Sequence, residues 1–298
     1  MNNIFKGLIT ALITPFKDDQ IDFTSLEKIV RYQIDNKVDG IVVGGSTGEG
    51  NSLTIQEYEL LLQAVVEISQ KKIPIIAGCS AVTKTAVDMV KICTKMQIDG
   101  FMSSIPAYIR PTQEGIYRHF EAIHAASTMP IMLYSVPSRA IVDFTDATIF
   151  RLAKLPRIMA LKDAGKDLER PLRIKAVLKD FNLISGDDEV ALGYNAQGGV
   201  GCASVASNIM PALCKKLQDS CRDNNYQEAL RIQQTLSPLY KALFAEPNPI
   251  GVKYAAQAIG LCSDELRLPL TTAEETTQNK INEVIALLFK NKEQCDNV

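Results

Sequence analysis

The feature that most constrains this chain is a repeated alternation. Short apolar, β-branched runs recur along its first two thirds, and longer stretches with helical spacing lie between them. The runs are Leu8–Ile13, Gly40–Val43, Ile73–Ala77, Gly100–Ser103, Ile131–Tyr134, Ile158–Lys162, Leu183–Ser185 and Val200–Val205. They are apolar right through, which is the pattern of parallel strands covered on both faces. Parallel neighbours need a crossover, and the intervening helical stretches supply it. Eight strand–helix units before residue 224 predict an α/β fold, a closed (β/α)8 TIM barrel, over an open doubly wound sheet. An open sheet would carry a Gly-rich dinucleotide loop after its first strand. Here the first run leads into Thr14-Pro15-Phe16 instead.

Helix starts are legible from their caps. Thr24-Ser-Leu-Glu27 and Thr54-Ile-Gln-Glu57 both fit the capping box, and Thr83, Thr112 and Thr145 are candidate N-caps. After Asn224 the pattern is wholly helical, over Tyr226–Phe244, Pro249–Ile259 and Thr272–Leu288. The expected organisation is a catalytic barrel over residues 1–224 and a C-terminal helical appendage over 225–298.

Several function classes fall away. Among 298 residues, 32 are basic and 34 acidic, a net charge of −2. That argues against a nucleic-acid binder, which needs a basic excess or stripe. No apolar run reaches the roughly 20 residues of a membrane span. The N-terminal MNNIFKGLITALITPFKDD has no small-residue cleavage site and reads as a strand rather than a signal peptide. The seven cysteines are scattered with no Cys-x-x-Cys pair, so a reduced, cytoplasmic protein is expected.

In a barrel of this kind, reactive side chains stand at the C-terminal strand ends and in the loops after them. Lys162 ends the apolar run Ile158-Met-Ala-Leu161. Partial burial disfavours the charged form of a lysine, which is how an amine becomes a nucleophile toward carbonyls. Tyr134 ends the adjacent run and offers a phenol as proton donor and acceptor. Taken singly, each is better explained by solvent exposure or packing; together they suggest an imine-forming site. Gly44-Gly-Ser46-Thr47-Gly is a small-residue loop rich in donors and suited to a carboxylate. It lacks the Gly-Lys-Ser/Thr ending of a phosphate loop. Arg139 could fork onto a second carboxylate. His119 and His124, five apart on one helix, point away from each other and read as surface histidines. Asp187-Asp188-Glu189 could bind Mg²⁺ but more simply serves a helix start. Gly198-Gly-Val-Gly201 reads as backbone crowding at the eighth strand, with close approach of a ligand as the alternative.

Taken together, Gly-Ser-Thr-Gly-Glu49, Tyr134-x-x-Pro137 and the sixth-strand lysine resemble the pyruvate-dependent class I aldolase superfamily, over nearly the whole chain. Three stretches resemble its dihydrodipicolinate synthase branch: Tyr134-Ser-Val-Pro-Ser-Arg139, Tyr108 with Arg110-Pro-Thr-Gln-Glu-Gly115, and Glu246-Pro-Asn-Pro-Ile-Gly-Val-Lys253. The resemblance implies a lyase in diaminopimelate and lysine biosynthesis that condenses pyruvate with aspartate semialdehyde. It implies Lys162 as the imine-forming amine and Tyr134 as proton carrier. Ser46 and Tyr108 would complete a hydroxyl relay, Tyr108 coming from a neighbouring subunit of a homotetramer. Thr47 would hold the pyruvate carboxylate, Arg139 would receive that of the semialdehyde, the Ala203 backbone would touch pyruvate, and Gly186 would lie beside the second substrate. Neither metal nor organic cofactor is implied, because the imine is itself the electron sink. Ser46 stands where many members carry Thr, Ser135 where Asn is common, and Ala107 where an aromatic is frequent. Two other readings stay open: a lyase of sialic acid or a 2-keto-3-deoxy sugar acid, and a catalytically silent ligand-binding barrel.

Overall fold

The computed structural model describes residues 4–295, with side chains through Lys290. Among the described residues ten strands form: β1 Gly7–Ala11, β2 Phe16–Lys17, β3 Gln20–Ile21, β4 Gly40–Val43, β5 Ile75–Cys79, β6 Gly100–Ser104, β7 Ile131–Ser135, β8 Ile158–Asp163, β9 Asn182–Ser185 and β10 Gly201–Ser204. Eight close into a parallel barrel in which β1 pairs with both β10 and β4. The expected (β/α)8 architecture is therefore the one observed. Boundaries move for local reasons. The third barrel strand begins at Ile75 rather than Ile73, since Pro74 has no N–H for the ladder. The extra pair β2–β3 is a hairpin whose turn residues Asp18 and Asp19 both have positive φ, 52° and 60°. The Glu265 carboxylate accepts their two backbone N–H groups, at 3.0 and 2.7 Å, and so tethers the hairpin to the C-terminal region.

Alternate residues of the strands fill the barrel. Ile9, Val42, Ile76, Met102, Met132, Tyr134, Ala160, Ile184 and Ala203 form one interior cluster, while the intervening residues join the helices in a second, larger one. Leu236, Leu239 and Val252 from the C-terminal helices Tyr226–Leu243 and Ile250–Ala258 belong to that outer cluster, so the tail shares the barrel's core. Gly201 faces Gly7 in the ladder, and a Cβ on Gly201 would stand 2.2 Å from the Gly7 carbonyl oxygen. Crowding explains that glycine without any ligand.

Thr54, Thr112 and Thr145 cap their helices as expected, and Thr54 with Glu57 completes a capping box. Two other cap assignments are corrected. The first helix starts at Phe23, with Asp22 as its cap accepting from Ser25 N at 3.1 Å; a carboxylate two residues earlier outcompetes Thr24. Thr83 is already inside its helix, and its hydroxyl instead meets His119 Nδ1 at 2.9 Å. That contact corrects a third expectation. His119 is not a surface residue; it packs between two barrel helices at 4% exposure, and its Nε2 has no hydrogen-bond partner among the described residues.

Burial holds the His119 imidazole down at about 4, against an ordinary 6.5. The unfolded chain therefore binds this proton more readily than the folded one. The contribution of neutral His119 is complete above pH 6.5 and is lost as pH falls toward 4, by an amount of order 3 kcal/mol. Denaturation midpoints between pH 7 and pH 4 should fall more steeply for the native chain than for His119→Met. Equal slopes would remove His119 from the acid response.

Candidate active site

Strands β7 and β8 set the centre. Tyr134 and Lys162 are ladder partners, and the two-residue period that turns Met132 and Ala160 inward turns these two inward as well. Both are buried, at 6% and 5% exposure. Lys162 Nζ lies 4.3 Å from the Tyr134 ring centroid, and among the described residues it has no carboxylate or hydrogen-bond partner. A buried amine held over an aromatic face and tied to no carboxylate is free to meet a substrate carbonyl.

One residue further on, the opposite parity points Asp163 into the helix layer. There its carboxylate accepts from Arg170 Nη1 at 3.1 Å, Gly165 N at 2.9 Å and the Tyr194 hydroxyl at 3.3 Å. Burial, partly offset by Arg170, holds this carboxyl above its ordinary range. Arg170 also grips Asp143 at 2.5 Å, and Asp143 accepts from Ser135 Oγ at 2.6 Å. The ends of β7 and β8 are thus clamped from outside, while their inward residues stay unencumbered. Nothing in the spacing of Arg170 or Asp143 advertised this network.

The loop after β4 folds tightly on itself. Gly44 has φ +67°, and a Cβ on Gly50 would stand 1.9 Å from the Gly44 carbonyl oxygen. Ser46 faces a cavity at the barrel mouth and Thr47 is buried beside it. Glu49, at φ +51°, turns its carboxylate inward: Oε1 lies 2.6 Å from Lys253 Nζ, and Oε2 accepts from Arg267 N at 3.1 Å. Lys253 also donates to the Glu265 carbonyl at 2.6 Å and sits 4.2 Å over the Phe16 ring. Burial pulls its ammonium below the ordinary value, with Glu49 opposing. The pair is fully enclosed, with side-chain exposures of 0% and 1%.

At the mouth, a cavity of about 120 Å³ is lined by Ser46, Ser104, Val136, Arg139 and Asn248, among others. Arg139 Nη2 donates to the Asn248 carbonyl at 2.8 Å, and Asn248 Nδ2 donates to Thr47 Oγ1 at 3.0 Å. Lys162 and Tyr134 do not line this cavity; they belong to the interior layer with Ala203. Gly186 donates its N–H to the Asp163 carbonyl at 2.7 Å, fixing it at the end of β9. The fold thus brings Lys162, Tyr134 and Ala203 into the barrel and Ser46, Thr47, Arg139 and Gly186 to its rim. Tyr108 stands apart. It is 95% exposed at φ +72°, on a tight turn closed by Ile109 N on the Ala107 carbonyl at 2.9 Å. No hydrogen bond joins Ser46, Tyr134 and Tyr108 among the described residues.

Asp188 is corrected from a helix-start charge to an internal anchor. Fully buried, it accepts from Ser204 Oγ at 2.5 Å, Val205 N at 2.8 Å and Ala206 N at 3.1 Å. Burial raises its carboxyl, and its oxygens face β10 rather than any site for Mg²⁺. Among the described residues no group of three or more His, Cys, Asp or Glu is disposed to hold a metal ion. Asn248, Glu49 and Lys253 carry no assigned role from sequence, although the stretch Glu246–Lys253 was a visible signal.

The dihydrodipicolinate synthetase family model matches residues 4–288. The chain is 60% identical over 290 residues to the 4-hydroxy-tetrahydrodipicolinate synthase of Rickettsia bellii, covering 97% of this chain and 99% of that protein. Its fold superposes with a TM-score of 0.95 on the 4-hydroxy-tetrahydrodipicolinate synthase of Methylacidiphilum fumariolicum, at 36% identity over 98% of this chain and 99% of the other. The chloride-inhibited dihydrodipicolinate synthase of Acinetobacter baumannii, complexed with pyruvate, matches at a TM-score of 0.93 and 35% identity, over 95% and 98% of the two chains.

Removing one member of a buried ion pair strands the other, a loss of about 3–5 kcal/mol. Lys253→Met and Glu49→Gln should each lower the unfolding free energy on that scale. The double variant should lose clearly less than the two losses combined. Additive single losses below about 1 kcal/mol, the range of a surface pair, would contradict the tether.

Proposed function

The chain belongs to the dihydrodipicolinate synthetase family, and from that premise we propose that it condenses pyruvate with L-aspartate 4-semialdehyde through an imine on Lys162. The observation that carries this reading is the buried, unpaired Lys162 amine against Tyr134 at the inner end of neighbouring strands. The amine adds to the pyruvate ketone, and loss of water, with protons passed by the Tyr134 phenol, leaves the imine. Withdrawal of a methyl proton gives the enamine, whose carbon attacks the aldehyde. The amino group of the bound semialdehyde then attacks the imine carbon, closes the ring and releases Lys162. The imine nitrogen takes up the electron pair throughout, so the protein's part is a nucleophile, proton carriers and two carboxylate holders. Thr47 serves the pyruvate carboxylate and Arg139 that of the semialdehyde, with the Ala203 backbone against pyruvate and Gly186 beside the acceptor.

The same reading makes the enzyme a cytoplasmic lyase supplying diaminopimelate and lysine. Support comes from the thiol state of the described cysteines and from the absence, among the described residues, of a helix long and apolar enough to cross a membrane. It also makes the working unit a homotetramer. Tyr108 is 95% exposed, and a tyrosine this exposed on a strained turn is suited to a neighbour's site. There it would join Ser46 and Tyr134 in the relay.

An acceptor panel tests the reaction. With pyruvate present, aspartate semialdehyde should be consumed, whereas sialic acid and 2-keto-3-deoxygluconate should not be cleaved. Cleavage of either sugar acid in place of condensation would move the chain to another branch, and silence toward all three would make it a binding barrel. The shared site has its own test. Tyr108→Phe and Lys162→Ala chains, each nearly inactive, should recover activity when co-refolded, because one site per mixed pair regains every group. Hybrids as inactive as their parents would place Tyr108 within its own chain's chemistry or outside it altogether.

A further inference from the structure

We propose that Asn248 is a positioning residue that aims the Thr47 hydroxyl into the donor-substrate subsite while its backbone carbonyl holds Arg139, so that one residue sets both carboxylate holders. The inference rests on the assignment of Thr47 and Arg139 made above. A threonine hydroxyl has one hydrogen to give and lone pairs to receive. Here the Asn248 amide fills the receiving side, donating from Nδ2 to Thr47 Oγ1 at 3.0 Å. The Thr47 hydrogen is left without a protein acceptor among the described residues, and at 4% exposure it has almost no bulk water to serve. A carboxylate entering from the cavity is the partner that such a hydrogen fits.

The other end of the same residue acts on Arg139. This side chain is long, exposed and rich in rotamers, and its described hydrogen bond is the 2.8 Å contact from Nη2 to the Asn248 carbonyl. The contact holds the guanidinium on the cavity wall that Asn248 and Ser46 also line. A purely structural asparagine would have both ends of its amide satisfied. Asn248 Oδ1 is buried with no hydrogen-bond partner among the described residues, so Thr47 is what orients this amide. Asn248 comes from the C-terminal region, 201 residues from Thr47 in sequence, and lies four residues after Phe244 and five before the tethered Lys253. The region beyond the barrel strands therefore takes part in aligning substrate.

Steady-state kinetics on Asn248→Ala, Thr47→Val and the double variant, with melting temperatures alongside, test the proposal. Loss of the amide's neutral hydrogen bond should raise the pyruvate KM about 3- to 10-fold in Asn248→Ala, and loss of the bond to the carboxylate should raise it at least as far in Thr47→Val. The double variant should lie within about twofold of Thr47→Val, since the amide then has no hydroxyl to orient. Asn248→Ala keeps the backbone carbonyl, so the semialdehyde KM should move less than that of pyruvate. Asn248→Asp has the same shape but can only accept; it draws the Thr47 hydrogen to itself and should raise the pyruvate KM at least as far as alanine does. That variant also serves if Asn248→Ala fails to fold. Fold-changes that multiply in the double variant, or a fall in kcat with both KM values unchanged, would overturn the role of Asn248 alone. A Thr47→Val enzyme with an unaltered pyruvate KM would instead overturn the Thr47 assignment, and this proposal with it.

Discussion

The enclosed pair of Glu49 and Lys253 is the contact on which the barrel mouth depends. A lysine and a carboxylate this deeply buried survive only together, because either one alone would keep its desolvation cost with no attraction to offset it. The pair pins the loop after β4 to the helix Ile250–Ala258, and Glu49 Oε2 adds the backbone of Arg267. Arg267 in turn reaches back to Glu57, the carboxylate of the capping box, at 2.5 Å, and its grip holds that carboxyl down at about 2. Loop, capped helix and C-terminal segment are thus one unit. Thr47 and Asn248 meet within this unit.

The barrel interior follows the opposite rule. Where the mouth is tied by charge, Lys162 sits above Ala160 in an apolar layer with an aromatic face for company. The two-residue period of the strand separates these worlds. Asp163, one position on, carries every ionic contact of that strand end and directs it outward to Arg170. A register slip of one residue would exchange the two, burying a carboxylate in the site and losing the amine to the helix layer.

The barrel was legible because its signal is redundant: eight apolar runs, each with its helix, tolerate boundary errors such as the loss of Ile73 and Pro74 from the third strand. Lys162 and Tyr134 were legible because charge and phenol break an apolar run at its end. Caps were readable only where no nearer competitor existed. Thr54 succeeded, whereas Asp22 displaced Thr24 and His119 took the hydroxyl of Thr83. Long-range partnerships left no local trace. The burial of His119, the clamp of Arg170 on Asp143 and the meeting of Asn248 with Thr47 depend on which helices and loops become neighbours, and spacing along the chain does not encode that. Tyr108 shows the reverse. Its resemblance to a catalytic tyrosine is plain in sequence, yet within one chain it points into solvent.

In the proposed reaction the buried Lys162 amine, and no other, forms the covalent bond to pyruvate. Borohydride added to enzyme and pyruvate, followed by peptide mass mapping, tests it most directly. Irreversible inactivation is expected, with the mass of one reduced pyruvyl group on the peptide carrying Lys162 and none in Lys162→Ala. A reduced adduct on a different lysine, or full protection from borohydride with activity intact, would contradict it.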